Sequence, residues 1–135
     1  MIPVEFERVD LRDGRGVIWL ASSAQHDGAG FRLPVWVGDR EAAVVQIAAD
    51  GLRSARPLTI DLLQRVLHDF DLRLIDVAIT AVQEGLLHAA LTIEDGTRRR
   101  AVDCRPSDAL ALALRERAPI AVAPEVAHTA GVPLD

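Results

Sequence analysis

Val102-Asp103-Cys104-Arg105-Pro106-Ser107-Asp108-Ala109-Leu110-Ala111-Leu112 reads as a strand end, a proline corner and a buried helix. Pro106 cannot continue a ladder, and Ser107 is placed to cap the helix that follows. That helix ends near Arg117, ahead of Ala118-Pro119. Half a chain earlier, Val35-Trp36-Val37-Gly38-Asp39-Arg40-Glu41-Ala42-Ala43-Val44-Val45 lines up on it without gaps. Each copy is a strand, a tight corner, a carboxylate, an Ala and an apolar helix, and each follows a hairpin. The pattern predicts a duplicated β-hairpin–strand–helix unit; chance similarity of two buried helices is the alternative.

Working outward, residues 4–11 and 16–21 read as strands joined by Asp13-Gly14, a strong hairpin signal. The stretch over residues 22–30 reads as a hairpin loop. Phe31, Leu33, Val35 and Val37 then alternate with Arg32, Pro34 and Trp36 as a third strand, and Pro34 marks an edge position or a bulge. Residues 40–49 form the first helix, stopped near Gly51. A second helix spans residues 59–70, with Thr59 as its cap and Leu63, Val66, Leu67 and Phe70 as its buried face. Strands at 72–82, 86–94 and 98–104 form a meander in which Leu87, Ala89, Leu91 and Ile93 face one way and His88 the other. Residues 120–122 make a last short strand and 124–130 a short helix. The expected class is α+β, a mixed or antiparallel sheet of hairpins with three main helices, in one domain spanning residues 1–135.

The composition narrows the function. Hydrophobic residues make up 50% of the chain, enough for a core without disulfides or a structural metal. The net charge of −5 argues against nonspecific coating of nucleic acid, which phosphate neutralisation drives, though not against a local basic site. Every basic residue is Arg, so lysine Schiff-base and general-base chemistry are excluded. Cys104 is the only cysteine and cannot close an internal disulfide. No run of 18 apolar residues and no leader-like start is seen, so the expectation is a cytoplasmic protein with no membrane partner.

The candidate chemistry sits at the corners. Backbone N–H groups at a helix start attract anions, and Arg105 stands there between Asp103 and Asp108. The first-turn position gives Asp108 and Glu41 a structural reading too, as partners of the helix dipole. Arg56-Pro57-Leu58-Thr59 with Asp61 adds a cation able to hold a phosphate or brace a carboxylate; first-turn capping is the reading for Asp61. Arg98-Arg99-Arg100 reads as a solvated strand face, with Arg99 opposite its neighbours, blunting an edge.

Three segments together resemble the bifunctional nuclease domain family: Leu33-Pro34-Val35-Trp36-Val37-Gly38 with Glu41-Ala42; Arg56-Pro57-Leu58-Thr59 with Asp61-Leu62; and residues 103–113 with Arg115 and Ala118-Pro119-Ile120. They cover roughly residues 2–132 in order. That family usually carries an aromatic residue, often Tyr, where this chain has His88. The resemblance implies a self-associating α+β domain with nuclease activity on RNA and DNA. No zinc-type ligand spacing is present, so the expected mechanism is hydrolysis assisted by Mg²⁺ or Mn²⁺. Glu41, Asp103 and Asp108 are the expected metal ligands and catalytic carboxylates, Arg56 and Arg105 the phosphate grips, and His88 or His68 a proton carrier.

The alternative function is a binding or regulatory module whose corners are purely structural. Pro34 and Trp36 share one face of a half-buried strand, which motivates a homo-oligomer, most simply a two-fold dimer.

Overall fold

A computed structural model describes residues 1–22 and 30–134; the loop expected over residues 22–30 falls mostly outside them. Along the chain come β1 (Ile2–Arg12), β2 (Arg15–Ser22), β3 (Phe31–Gly38), α1 (Asp39–Ala49), α2 (Thr59–Asp69), β4 (Arg73–Gln83), β5 (Leu86–Glu94), β6 (Arg99–Cys104), α3 (Pro106–Glu116), β7 (Ile120–Val122), α4 (Pro124–Ala130) and β8 (Val132–Pro133). The class is α+β, as expected. Among the described residues, eight strands join one mixed sheet in the order β6-β5-β4-β7-β1-β2-β3-β8.

That order exposes the repeat. Two antiparallel three-strand meanders, β1-β2-β3 and β4-β5-β6, flank the short β7, and each leads into a helix. Strand β7 runs antiparallel to β1 and parallel to β4. The equivalent helices α1 and α3 pack on each other and on the sheet. Between them and the sheet lies the core, with Ile18, Leu20, Leu33, Val35, Val45, Val77, Ile79, Leu110 and Leu112 fully buried. Each such side chain contributes about 1.5–3 kcal/mol of burial. At Gly16 an added Cβ would fall 2.3 Å from Ala42 Cβ, so glycine is what lets α1 settle on β2.

Several helix details differ from the sequence reading. Ser107 is buried inside α3 and makes no cap hydrogen bond; Arg105 is the extended N-cap and Pro106 the first helical residue. Pro106 has no N–H to satisfy, so it starts the helix unaided. Thr59 likewise lies inside α2: the Asp61 carboxylate reaches back and accepts the Leu58 N–H at 2.9 Å. The face that α2 buries is Ile60, Gln64 and Leu67, with Leu63 partly covered. Val66 and Phe70 are exposed, the latter at 72%, correcting their expected place in the core. A buried Gln64 displaces them because it bonds to Arg53 and Glu116. The two-residue β8 carried no periodicity to announce it.

Strand β3 pairs with β2 throughout but with β8 only at Phe31 and Arg32, so Pro34 meets no demand for an N–H on its far side. Trp36 points outward and is 55% exposed. Strand β6 is the other edge. Arg99 there is held by Glu94, which Arg73 also grips, so the Arg run is partly neutralised. Among the described residues no helix is long and apolar enough to cross a membrane.

Candidate active site at the two helix corners

The corners before α1 and α3 meet through Arg105. Its Nε and Nη2 donate to the two oxygens of Asp108 at 2.8 and 3.0 Å, three residues on. Its Nη1 lies 3.7 Å from the Glu41 carboxylate on the other helix. The Arg105 side chain is 64% exposed and that of Glu41 34%. Glu41 folds back over its own corner, so an added Cβ at Gly38 would meet Glu41 Oε1 at 2.3 Å. The result is a solvent-facing guanidinium between two first-turn carboxylates.

The other expected residues lie elsewhere. Asp103 pairs with Ala90 across β6 and β5 and is exposed. Strand alternation puts it on the face opposite Cys104, whose side chain packs against the core. His88 is exposed on that same outer face of β5, two residues from Ala90. Arg56 is exposed in the α1–α2 loop, with no ion pair or hydrogen bond to Glu41, Arg105 or Asp108 among the described residues. Glu41, Arg105 and Asp108 are thus brought together, and Asp103, His88 and Arg56 are not.

Nor do the carboxylates fit a metal as they stand. Among the described residues no group of three His, Cys, Asp or Glu is arranged to hold an ion. Both oxygens of Asp108 are already taken by Arg105, and Asp103 faces away.

Cys104, at the same corner, is not an activated nucleophile. Burial, then the charges of Asp108 and Asp103, push its thiol up to about 11, against a weak opposing pull from the Ala109 N–H.

A second cluster was not foreseen. Arg115, with a side chain only 3% exposed, places Nε 3.2 Å from Asp61 Oδ1. The pair lacks hydrogen-bond geometry, since Nε and Nη2 of Arg115 have no hydrogen-bond partner among the described residues. Arg53 donates to the same Asp61 oxygen at 2.6 Å. Burial would raise the Asp61 pKa, but the Leu58 N–H, Arg115 and Arg53 together outweigh it and hold the carboxyl below its ordinary value. Beside it, His68 sits 3.0 Å from Glu116, which also accepts from Gln64. These contacts fasten α2 onto α3. The signal available in sequence was Asp61 and Arg115 themselves, but nothing in their spacing announced a contact.

Two grooves lie away from the corners. The larger, about 880 Å³, lies at the opposite end of α3 among Pro3, Phe6, Ala113, Arg117 and Pro119. The smaller, about 330 Å³, runs along α2 beside Arg53, Asp61 and His68.

Comparison with known proteins gives the family. Residues 24–135 match the bifunctional nuclease domain. Two uncharacterized proteins, from two strains of Mycobacterium tuberculosis, are each 38% identical over 100 residues, covering 74% of this chain and 59% of theirs. The chain therefore spans about three fifths of the length of these curated relatives. With a match that runs over residues 24–135, the chain belongs to the bifunctional nuclease domain family.

Proposed function

We propose that this chain hydrolyses phosphodiester bonds of RNA or DNA at the corner formed by Glu41, Arg105 and Asp108. The observation that carries the reading is the Arg105 guanidinium, exposed and held between two carboxylates from different helices. A substrate phosphate takes the place of Asp108 in the same bidentate geometry, since guanidinium forks match carboxylates and phosphates alike. Glu41 accepts a proton from the attacking water as its oxygen bonds to phosphorus. The ester P–O bond breaks, and the leaving oxygen takes a proton from solvent. Arg105 offsets the charge gathering on the phosphoryl oxygens. Asp103, His88 and Arg56 have no place in this step.

Divalent-metal assistance enters as a variable of the assay rather than a step, because the carboxylates do not form a ligand set. The test is cleavage by highly purified protein with Mg²⁺, with Mn²⁺ and with chelator, beside Glu41→Gln. Loss of turnover in folded Glu41→Gln supports the reading, and unchanged turnover contradicts it. The second reading, a non-catalytic binding or regulatory module, is favoured by the Arg105–Asp108 pair, which occupies both carboxylate oxygens of Asp108. Binding without turnover under every metal condition would select it.

Self-association is part of the same reading. Leu62 and Val66 of α2 and Phe70 at its C-cap are exposed at 60%, 41% and 72% and recur every four residues. Such a stripe on a surface helix fits a two-fold contact, and a dimer mass by light scattering at micromolar concentration tests it. The cytoplasm is the compartment we assign, resting on the single unpaired cysteine.

A further inference from the structure

The helices cover one face of the sheet, and the other face of β1-β2-β3 carries both tryptophans of the chain. The register pairs Trp19 with Pro34 and Val17 with Trp36, so the two rings occupy diagonal positions on adjacent strands and on one face. Diagonal neighbours stand roughly 7 Å apart. Each ring has an arginine over it: Arg8 lies 5.3 Å from the Trp19 centroid and Arg15 lies 5.6 Å from that of Trp36. Trp19 is fixed in orientation, its Nε1 donating to Asp10 at 3.1 Å.

The charges on this face are unevenly spent. Asp10 is bonded to Trp19 and Arg8, and Glu7 to Arg32 and Arg8. The Arg32 hydrogen bonds foremost hold Glu7 below the usual carboxylate range, with burial opposing. Arg12 and Arg15 face each other in register at the hairpin end, and neither has a carboxylate partner among the described residues. Glu5, beside Ala21, and Asp13, in the turn, are the other acids nearby.

We propose that this face is a stacking surface for single-stranded nucleic acid, an inference that deepens the nuclease reading by naming its substrate class. The exposed Trp36 ring, beside the half-buried Trp19, asks for a flat partner, and guanidiniums without carboxylates ask for anions; an unpaired nucleotide strand offers both at once. Duplexes keep their bases stacked within, so they cannot lay them on Trp36. Trp36 stands two residues before Gly38, the cap of α1, so a strand lying here leads to the rim of the Glu41–Arg105 corner. A second copy of the chain would meet Arg12 and Arg15 without supplying phosphates.

Because the chain has two Trp and no Tyr, its intrinsic fluorescence reports on this face alone. The full chain is titrated in chelator with oligothymidylate and oligouridylate of about 15 nucleotides, and with a duplex of equal length. Single strands should quench emission saturably, and affinity should fall by about tenfold or more between about 50 and 200 mM salt. Trp36→Ala should bind about tenfold more weakly and Trp36→Phe should recover most of that loss, since any aromatic face stacks. Trp36 is over half exposed, so these variants fold. Equal quenching by the duplex, no quenching by single strands, or unweakened binding by Trp36→Ala would overturn the proposal. An emission change on concentrating the protein alone would do so too, by assigning the face to a second copy. The readout needs no turnover: binding without cleavage would sink only the nuclease reading, and cleavage without quenching only this one.

Discussion

Arg105 reaches across from the start of α3 to within 3.7 Å of Glu41 at the start of α1, joining the two equivalent corners of a repeated strand–helix unit. The contact is solvent-facing and longer than a hydrogen bond. Its part in stability is therefore small, and its position is better explained by what the guanidinium can hold. Arg105→Ala should cost less than about 1 kcal/mol, as exposed ion pairs do. A melting temperature within about 4 °C of the parent checks this.

The two glycines near this corner should behave oppositely. Gly38→Ala pushes against the flexible tip of Glu41 at an ordinary backbone φ of −71°, so it should shift the carboxylate and spare the fold. Gly16→Ala pushes against Ala42 Cβ, which cannot swing away, and should cost about 1–3 kcal/mol. Thermal melts of both, with cleavage rates for Gly38→Ala, separate site from scaffold.

Cys104 should be slow to alkylate. With its thiol at about 11, thiolate is roughly one part in a thousand at pH 8. Asp108→Asn removes one of the charges that raise it and should speed alkylation by iodoacetamide in the folded protein. Unchanged rates would mean that the Asp108 charge takes no part in raising the pKa.

The Asp61–Arg115 pair should dominate the polar contribution to stability. Arg115→Met leaves the largely enclosed Asp61 with Arg53 and the Leu58 N–H and should cost about 1–3 kcal/mol. Asp61 has a depressed folded pKa, so its contribution is complete above its ordinary value near 3.8 and lost as pH falls through the folded value. The gap in melting temperature between parent and Asp61→Asn should be full above about pH 4 and close below it.

The strands and the corners were legible because their signals are local. Asp13-Gly14, the alternation of Phe31 to Val37, and the gapless match of the two corners each lie within a dozen residues. The face of α2 was not, because Gln64 takes a core position that hydrophobicity alone gives to Val66 or Phe70. Partners far away in sequence, Arg53 and Glu116, make that burial tolerable. The meeting of Glu41 with Arg105 is explained by the repeat, since the equivalent helices α1 and α3 pack on each other. The placement of Asp103 and His88 on the outer face did not, because proximity in sequence to a corner says nothing of which side of the strand a residue faces. Strand alternation from Cys104 would have placed Asp103 outside.

The most direct measurement is kcat/KM for cleavage of a single-stranded oligonucleotide by Arg105→Ala, with folding verified by thermal melts. If Arg105 grips the scissile phosphate, kcat/KM should fall by about tenfold or more, a loss of at least about 1.4 kcal/mol of transition-state binding. A folded Arg105→Ala variant that cleaves as fast as the parent would contradict the account.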